Sequence, residues 1–209
     1  MKELRKVAML GVLGLTLAGC VEDPLAPPPP PSESELIHYW HFNNLPAGEL
    51  TAVAADFSAL GGAAITYPGT GAGYMDNVDP GSGVNSRQGQ LPGLGLRPRN
   101  PANTRELIIT APSTGYEDIV VAFAVQRSSS GAAQEEFSYS TNGGTTWTIV
   151  GAAYDIGLDF AVVTFDLSEV AAVQNNANLR FRIRFVGEQA GGSSGNNRFD
   201  NFTVDGVPL

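Results

Sequence analysis

Apolar and cationic residues take turns for seven positions in Leu179-Arg180-Phe181-Arg182-Ile183-Arg184-Phe185. This is the two-residue period of a strand with one face buried and the other in water. Seven further short runs rich in Val, Ile, Phe, Tyr and Thr read as strands: 36–42, 106–110, 119–126, 136–140, 146–150, 161–167 and 198–204. Clusters of Gly, Asn, Ser and Pro separate them, notably Gly69 to Gly83 and Gly191 to Asn197. Only Ser168 to Val173 reads as helical, one short turn with Ser168 as its N-cap. Residues 36–209 contain no second linker, and about 170 residues suffice for one domain with its own core. The pattern predicts an all-β chain, an antiparallel β-sandwich of the jelly-roll kind with one short helix.

The N-terminal pattern is different. Lys2, Arg5 and Lys6 precede a mainly apolar run from Val7 to Leu17, which closes on Ala18, Gly19 and the single cysteine of the chain, Cys20. At 1.5 Å per residue, about eleven residues reach about half of a hydrocarbon core roughly 30 Å thick, so the run reads as a secretory signal and not as a span. Leu17-Ala18-Gly19-Cys20 resembles the lipobox of bacterial lipoproteins. That resemblance implies cleavage of a signal peptide, residues 1–19, and acylation of Cys20 as the new N-terminus, which holds the chain on a membrane. Val21 stands where lipoproteins retained at the inner membrane of enteric bacteria carry Asp, which implies the outer membrane, on its periplasmic or its cell-surface face. Residues 20–35 then form a tether: Pro24 and Pro27 to Pro31 favour extended polyproline II, a stalk of roughly 30 Å. With Cys20 acylated no disulfide is available.

Charge narrows the partners. The whole chain carries −9, and residues 1–19 contain three basic side chains and one acidic, so the chain from Cys20 onward carries −11. A field of this sign argues against nucleic acid as a general partner. Arg97 with Arg99, and Arg180 with Arg182 and Arg184, are the local exceptions, the second set reading as the wet face of a strand.

Two resemblances concern the domain. Ser140-Thr141-Asn142-Gly143-Gly144-Thr145-Thr146-Trp147 resembles the Asp-box of sialidase-type propellers, with Asn142 in place of the aspartate. One copy in this length implies a self-capped hairpin and no propeller or glycosidase: Asn142 and Gly143 form the turn, Ser140 and Gly144 flank it, and Trp147 folds back as a buried aromatic cap. More widely, the stretches around His38–Asn44, Thr110–Tyr116 and Gly195–Asn201 resemble jelly-roll modules of secreted and surface proteins of Gram-negative bacteria, akin to concanavalin-like, MAM-like and carbohydrate-binding sandwiches. That resemblance implies a fold and no particular reaction.

The remaining chemistry is sparse. His38 and His41 sit three apart on one strand, hence on opposite faces, and cannot share a metal without a bulge. No nucleophile elbow, zinc-protease motif, Walker loop or cysteine nucleophile is present. Adjacent carboxylates, Glu135 with Glu136 and Glu117 with Asp118, could serve glycoside hydrolysis, but carboxylates so placed are expected to face solvent. Asn43 and Asn44 at the end of the first strand, and Asp200 and Asn201 at the start of the last, offer oxygen ligands suited to a structural Ca²⁺; the bland alternative is that they turn the chain and accept backbone hydrogen bonds. Tyr74, in a loop whose neighbours do not look like strand, is the expected exposed aromatic platform for a sugar. The expected function is a membrane-anchored, non-catalytic binding module for extracellular carbohydrate. The alternatives are an envelope scaffold or adhesin that binds protein, and a glycoside hydrolase.

Overall fold

The computed structural model describes residues 33–209, so Cys20, the signal segment and the proline tether lie outside the described residues. In chain order the strands are β1 (Glu35–Trp40), β2 (Ala52–Ala54), β3 (Phe57–Ser58), β4 (Ala64–Thr66), β5 (Met75–Val78), β6 (Gly95–Pro98), β7 (Glu106–Thr110), β8 (Tyr116–Arg127), β9 (Gln134–Ser140), β10 (Thr148–Ile149), β11 (Tyr154–Asp155), β12 (Ala161–Asp166), β13 (Arg180–Val186) and β14 (Asn197–Pro208). They form two antiparallel sheets. One runs β12-β8-β14-β1-β3, with β6 also pairing β14 and β5 pairing β6; the other runs β10-β9-β13-β7-β4-β2, with β11 also on β9.

The spine of the first sheet is β14. Its C-terminal half pairs with β1, from Trp40 opposite Phe202 to Glu35 opposite Gly206, and where β1 runs out β6 takes over, Leu96 opposite Phe199. In the second sheet β13 alternates as its sequence requires: Phe181, Ile183 and Phe185 are buried while Arg180, Arg182 and Arg184 face outward. The core between the sheets is aromatic. Phe123 stacks on Phe202 at 4.9 Å, and Phe137 of one sheet stacks on Phe165 of the other at 3.9 Å. Tyr39 and Trp40 are fully buried.

The helical turn is shorter than expected. Only Ala171–Val173 is helical, a 3-10 turn, with Val170 at its N-cap and no side-chain cap bond. Ser168 is not the cap: its N–H donates to Asp166 Oδ1 as the chain leaves β12. That bond closes an Asx turn ahead of the helical turn and caps none of its N–H groups.

Candidate functional site

Three loops meet at one end of the sandwich: 67–74 ahead of β5, 99–105 between β6 and β7, and 189–195 ahead of β14. Glycine lets the first two lie flush. A Cβ at Gly69, whose φ is +147°, would collide with Thr104 O, and a Cβ at Gly73 would collide with Pro101 O. Arg105 ties the first loop down, donating to Tyr67 O at 2.9 Å and Gly71 O at 3.1 Å with its guanidinium 5.5 Å from the Tyr67 ring centroid. Asn100 does the same for the third loop: its buried Nδ2 donates to Ser130 O, Gln189 O and Ser194 O, and its Oδ1 has no partner.

These loops enclose adjoining cavities. One of about 420 Å³ is lined by Leu50, Thr66, Tyr67, Tyr74, Met75 and Arg105 among others. A second, of about 570 Å³, is lined by Tyr74, Arg99, Asn100, Pro101, Ser193 and Ser194 among others. A third, of about 310 Å³, shares Arg105 with the first and is closed by Glu106 and Arg184. The half-buried ring of Tyr74 stands between the two larger spaces. Arg99 lies 5.2 Å from its centroid.

Arg99 belongs to a cluster on the outer face of β5, β6 and β14. Arg97 clasps Asp76 with two bonds of 2.8 and 2.7 Å, and Arg99 adds two more to the same carboxylate. The two guanidinium groups hold the Asp76 carboxyl below its ordinary range despite its burial. Register places Arg198 beside Arg97 across β14 and β6, since Phe199 faces Leu96 and Arg99 bridges Asn196. Arg198 donates to Asn196 Oδ1 and pairs with no carboxylate among the described residues. Burial and then its two arginine neighbours push its pKa down.

Three of the four residues expected to hold Ca²⁺, Asn43, Asp200 and Asn201, bond to the loop that joins β5 to β6. The Asp200 carboxylate accepts the N–H groups of Ser82 and Asn201. Asn201 accepts the Tyr39 hydroxyl and donates to Ser82 O and Val84 O. Asn43 Oδ1 accepts Leu94 N–H at 2.9 Å while its Nδ2 donates to Leu91 O, and Asn44 Nδ2 faces Asp56. Donors thus point at the oxygens a cation would need, and no group of three or more His, Cys, Asp or Glu side chains converges on a metal position among the described residues. The arrangement fits a hydrogen-bonded clamp on that loop and does not fit a calcium cage. Burial raises Asp200 to about 7. His38 and His41 are also spoken for: His38 bridges Ser58 Oγ and Pro112 O, and His41 Nε2 lies 3.4 Å from Asp56.

At the hairpin, Ser140 Oγ donates to Asn142 Oδ1 and accepts the N–H of Gly144, and Asn142 Oδ1 also accepts Thr146 N–H. Trp147 folds back over Gly144, but it is not a core residue. It is half-buried on the outer face of the second sheet, with the Arg182 guanidinium 4.6 Å from its centroid. The reason is parity: the strand positions after Trp147 leave Ile149 exposed opposite Ser138, so Trp147 shares that outward face.

Glu135 also departs from expectation. It does not face solvent; it is fully buried, accepting Asn197 Nδ2 at 2.8 Å and the Tyr154 hydroxyl at 3.1 Å. Burial without a neighbouring cation raises it to about 8. The signal was in the sequence, because Glu135 has the parity of Phe137 and Tyr139, which point inward. Glu136 does face outward, toward Arg184.

No family model and no curated protein matches the chain. Among solved structures it is similar to the N-terminal CBM22-1-CBM22-2 tandem domain from Paenibacillus barcinonensis Xyn10C, at 11% identity and a TM-score of 0.52, over 85% of this chain and 48% of that one. The chain therefore spans about half the length of that tandem. It is also similar to the xylan-binding module CBM15, at 13% identity and TM-score 0.45 over 77% of this chain and 99% of that one. A third is the family 11 carbohydrate-binding module from Clostridium thermocellum in complex with a β-1,3-1,4-mixed-linked tetrasaccharide, at 13% identity and TM-score 0.45 over 83% and 99%. At such identities the tandem establishes the fold, a β-sandwich.

Proposed function

We propose that this chain is a lipid-anchored envelope protein of bacteria whose β-sandwich binds extracellular carbohydrate in the loop groove around Tyr74, without catalysing a reaction. The carrying observation is the Tyr74 ring, half-exposed between cavities of about 420 and 570 Å³ and surrounded by hydroxyl, amide and guanidinium groups. An apolar ring face beside planar polar groups is what a pyranose requires, because its C–H face stacks while its hydroxyls find donors and acceptors. The fold shared with a structure named for CBM22 modules supports the same reading.

Hydrolysis would need two carboxyl groups held about 5 to 9.5 Å apart across the scissile bond. Of the carboxylates that line the groove, Glu106 is ion-paired to Arg182 and Arg184, which leaves Glu49 without an acid partner. Anchoring rests on the lipobox-like Cys20 and the proline stalk, which would present the groove away from the lipid at the outer membrane.

A glycan array followed by titration calorimetry on wild type and Tyr74→Ala tests the reading. Wild type should bind a glycan, and Tyr74→Ala should weaken it about tenfold or more, about 1.4 kcal/mol, with an unchanged melting temperature. Full affinity in Tyr74→Ala, or no glycan bound by wild type, would refute it.

A further inference from the structure

The groove is bordered by positive charge in a chain whose net charge is −9. Arg97, Arg99 and Arg198 share one outer face, and the single carboxylate among them, Asp76, is used twice over, by Arg97 and by Arg99. Three cations against one anion leave a local excess, and Arg198 is the member left without an acid among the described residues. Partial burial and then the two neighbouring arginines both disfavour its charge.

The arginines are also kept in place. Residues two apart on a strand share a face, so Arg97 and Arg99 project together, while cross-strand neighbours such as Arg97 and Arg198 stand about 5 Å apart at Cβ. Asp76 locks the first two, and Asn196 Oδ1 receives Arg198 Nε at 2.9 Å. Arg99 joins the cluster to the groove, because the same guanidinium lines the larger cavity and lies over the Tyr74 ring. The Arg99 Nε and Nη2 are held by Asp76, but its Nη1 and both Nη groups of Arg198 have no hydrogen-bond partner among the described residues, so a sugar seated on Tyr74 would place its substituents near fixed cationic donors suited to carboxylate and sulfate oxygens.

We propose that the ligand of the Tyr74 groove is an anionic polysaccharide, its carboxylate or sulfate group held by Arg99 and Arg198. This rests on the carbohydrate reading above and names the class of glycan. An anionic sugar would supply the counter-charge that the cluster lacks, whereas a neutral one would leave Arg198 without an anionic partner.

The test uses the full chain and two matched pairs: polygalacturonate against its methyl-esterified form, and dextran sulfate against dextran. Wild type should bind the charged member of one pair at least about tenfold more tightly than its neutral partner, and the pair that responds tells carboxylate from sulfate. Raising NaCl from about 0.05 to about 0.5 M should weaken that binding and leave any binding of the neutral member unchanged. Arg198→Gln should reduce the charged ligand to the affinity of the neutral one, with Arg198→Lys intermediate; Tyr74→Ala should weaken the charged ligand as well. Equal binding of charged and neutral members, unaffected by salt and by Arg198→Gln, would overturn the anionic assignment while leaving the carbohydrate reading standing. Failure to bind any polysaccharide, on these pairs and on the array, would remove both.

Discussion

Glu135→Gln should abolish a pH dependence that the buried carboxyl imposes on the whole domain. The side chain has no exposed surface and no cation beside it; the groups that face it are Asn197, the Tyr154 hydroxyl and, through charge, Tyr67, itself under the Arg105 guanidinium. Burial raises its pKa from 4.5 to about 8. The folded state therefore keeps a proton that the unfolded chain releases between those values. Stability is fully present below pH 4.5, declines as pH rises, and levels off above about 8. At about 1.36 kcal/mol per pH unit the interval amounts to about 5 kcal/mol, a large part of the roughly 5–15 kcal/mol of a typical domain. Urea unfolding at pH 4.5, 6, 7.5 and 9 measures it, and the assay should be read as the difference between wild type and Glu135→Gln. Asp200 and Asp205, also raised by burial, titrate with the same sign and cancel in that difference. The amide keeps the shape of the side chain, its oxygen accepting Asn197 Nδ2 and its Nε2 donating to the Tyr154 hydroxyl oxygen, so the variant should gain on wild type by about 1.4 kcal/mol per unit across the interval. Parallel curves for the two proteins would refute the reasoning and mean that Glu135 ionises in the folded state at its ordinary pKa.

Three further outcomes are expected. Trp147→Ala should cost about 1–2 kcal/mol in urea unfolding, below the 3–5 of a buried aromatic, because the ring is half-exposed and Arg182 keeps its bonds to Ser138 and Glu106; lost glycan affinity at unchanged stability would instead move the binding face to the second sheet. Chelation with EDTA should leave the melting temperature unchanged, since the amides around Asp200 are matched within the chain; a cation bound only to the folded state at about 100 times its Kd would contribute about 2.7 kcal/mol, and a clear fall on chelation would restore the calcium reading. Cys20→Ser should abolish acylation, leaving unprocessed precursor, and a processed variant that partitions into detergent like wild type would refute the anchor.

What the sequence determined by itself was periodic and local. The alternation of residues 179–185 and the β-branched run of 106–110 are properties of neighbours along the chain, so β13 and β7 were legible nearly to the residue. The sequence placed a turn at Asn142 and Gly143, but the left-handed residues are Gly143 and Gly144, with the Ser140 and Asn142 side chains bonded around them. Short strands were not legible: β2, β4, β5 and β6 have three or four residues each, too few to show a period, and they exist because β14 outreaches β1 and because β7 offers a free edge. The site divides along the same line. Tyr74 could be picked out as an aromatic in a glycine-rich loop, but the groove around it is made by loops brought together from 67–74, 99–105 and 189–195, and no local pattern encodes that meeting. Nothing along the chain singles out Arg198; the register of β14 against β6 sets it beside Arg97. Cross-strand register is a long-range choice, set by which faces must be buried together, and it alone decides which charges become neighbours.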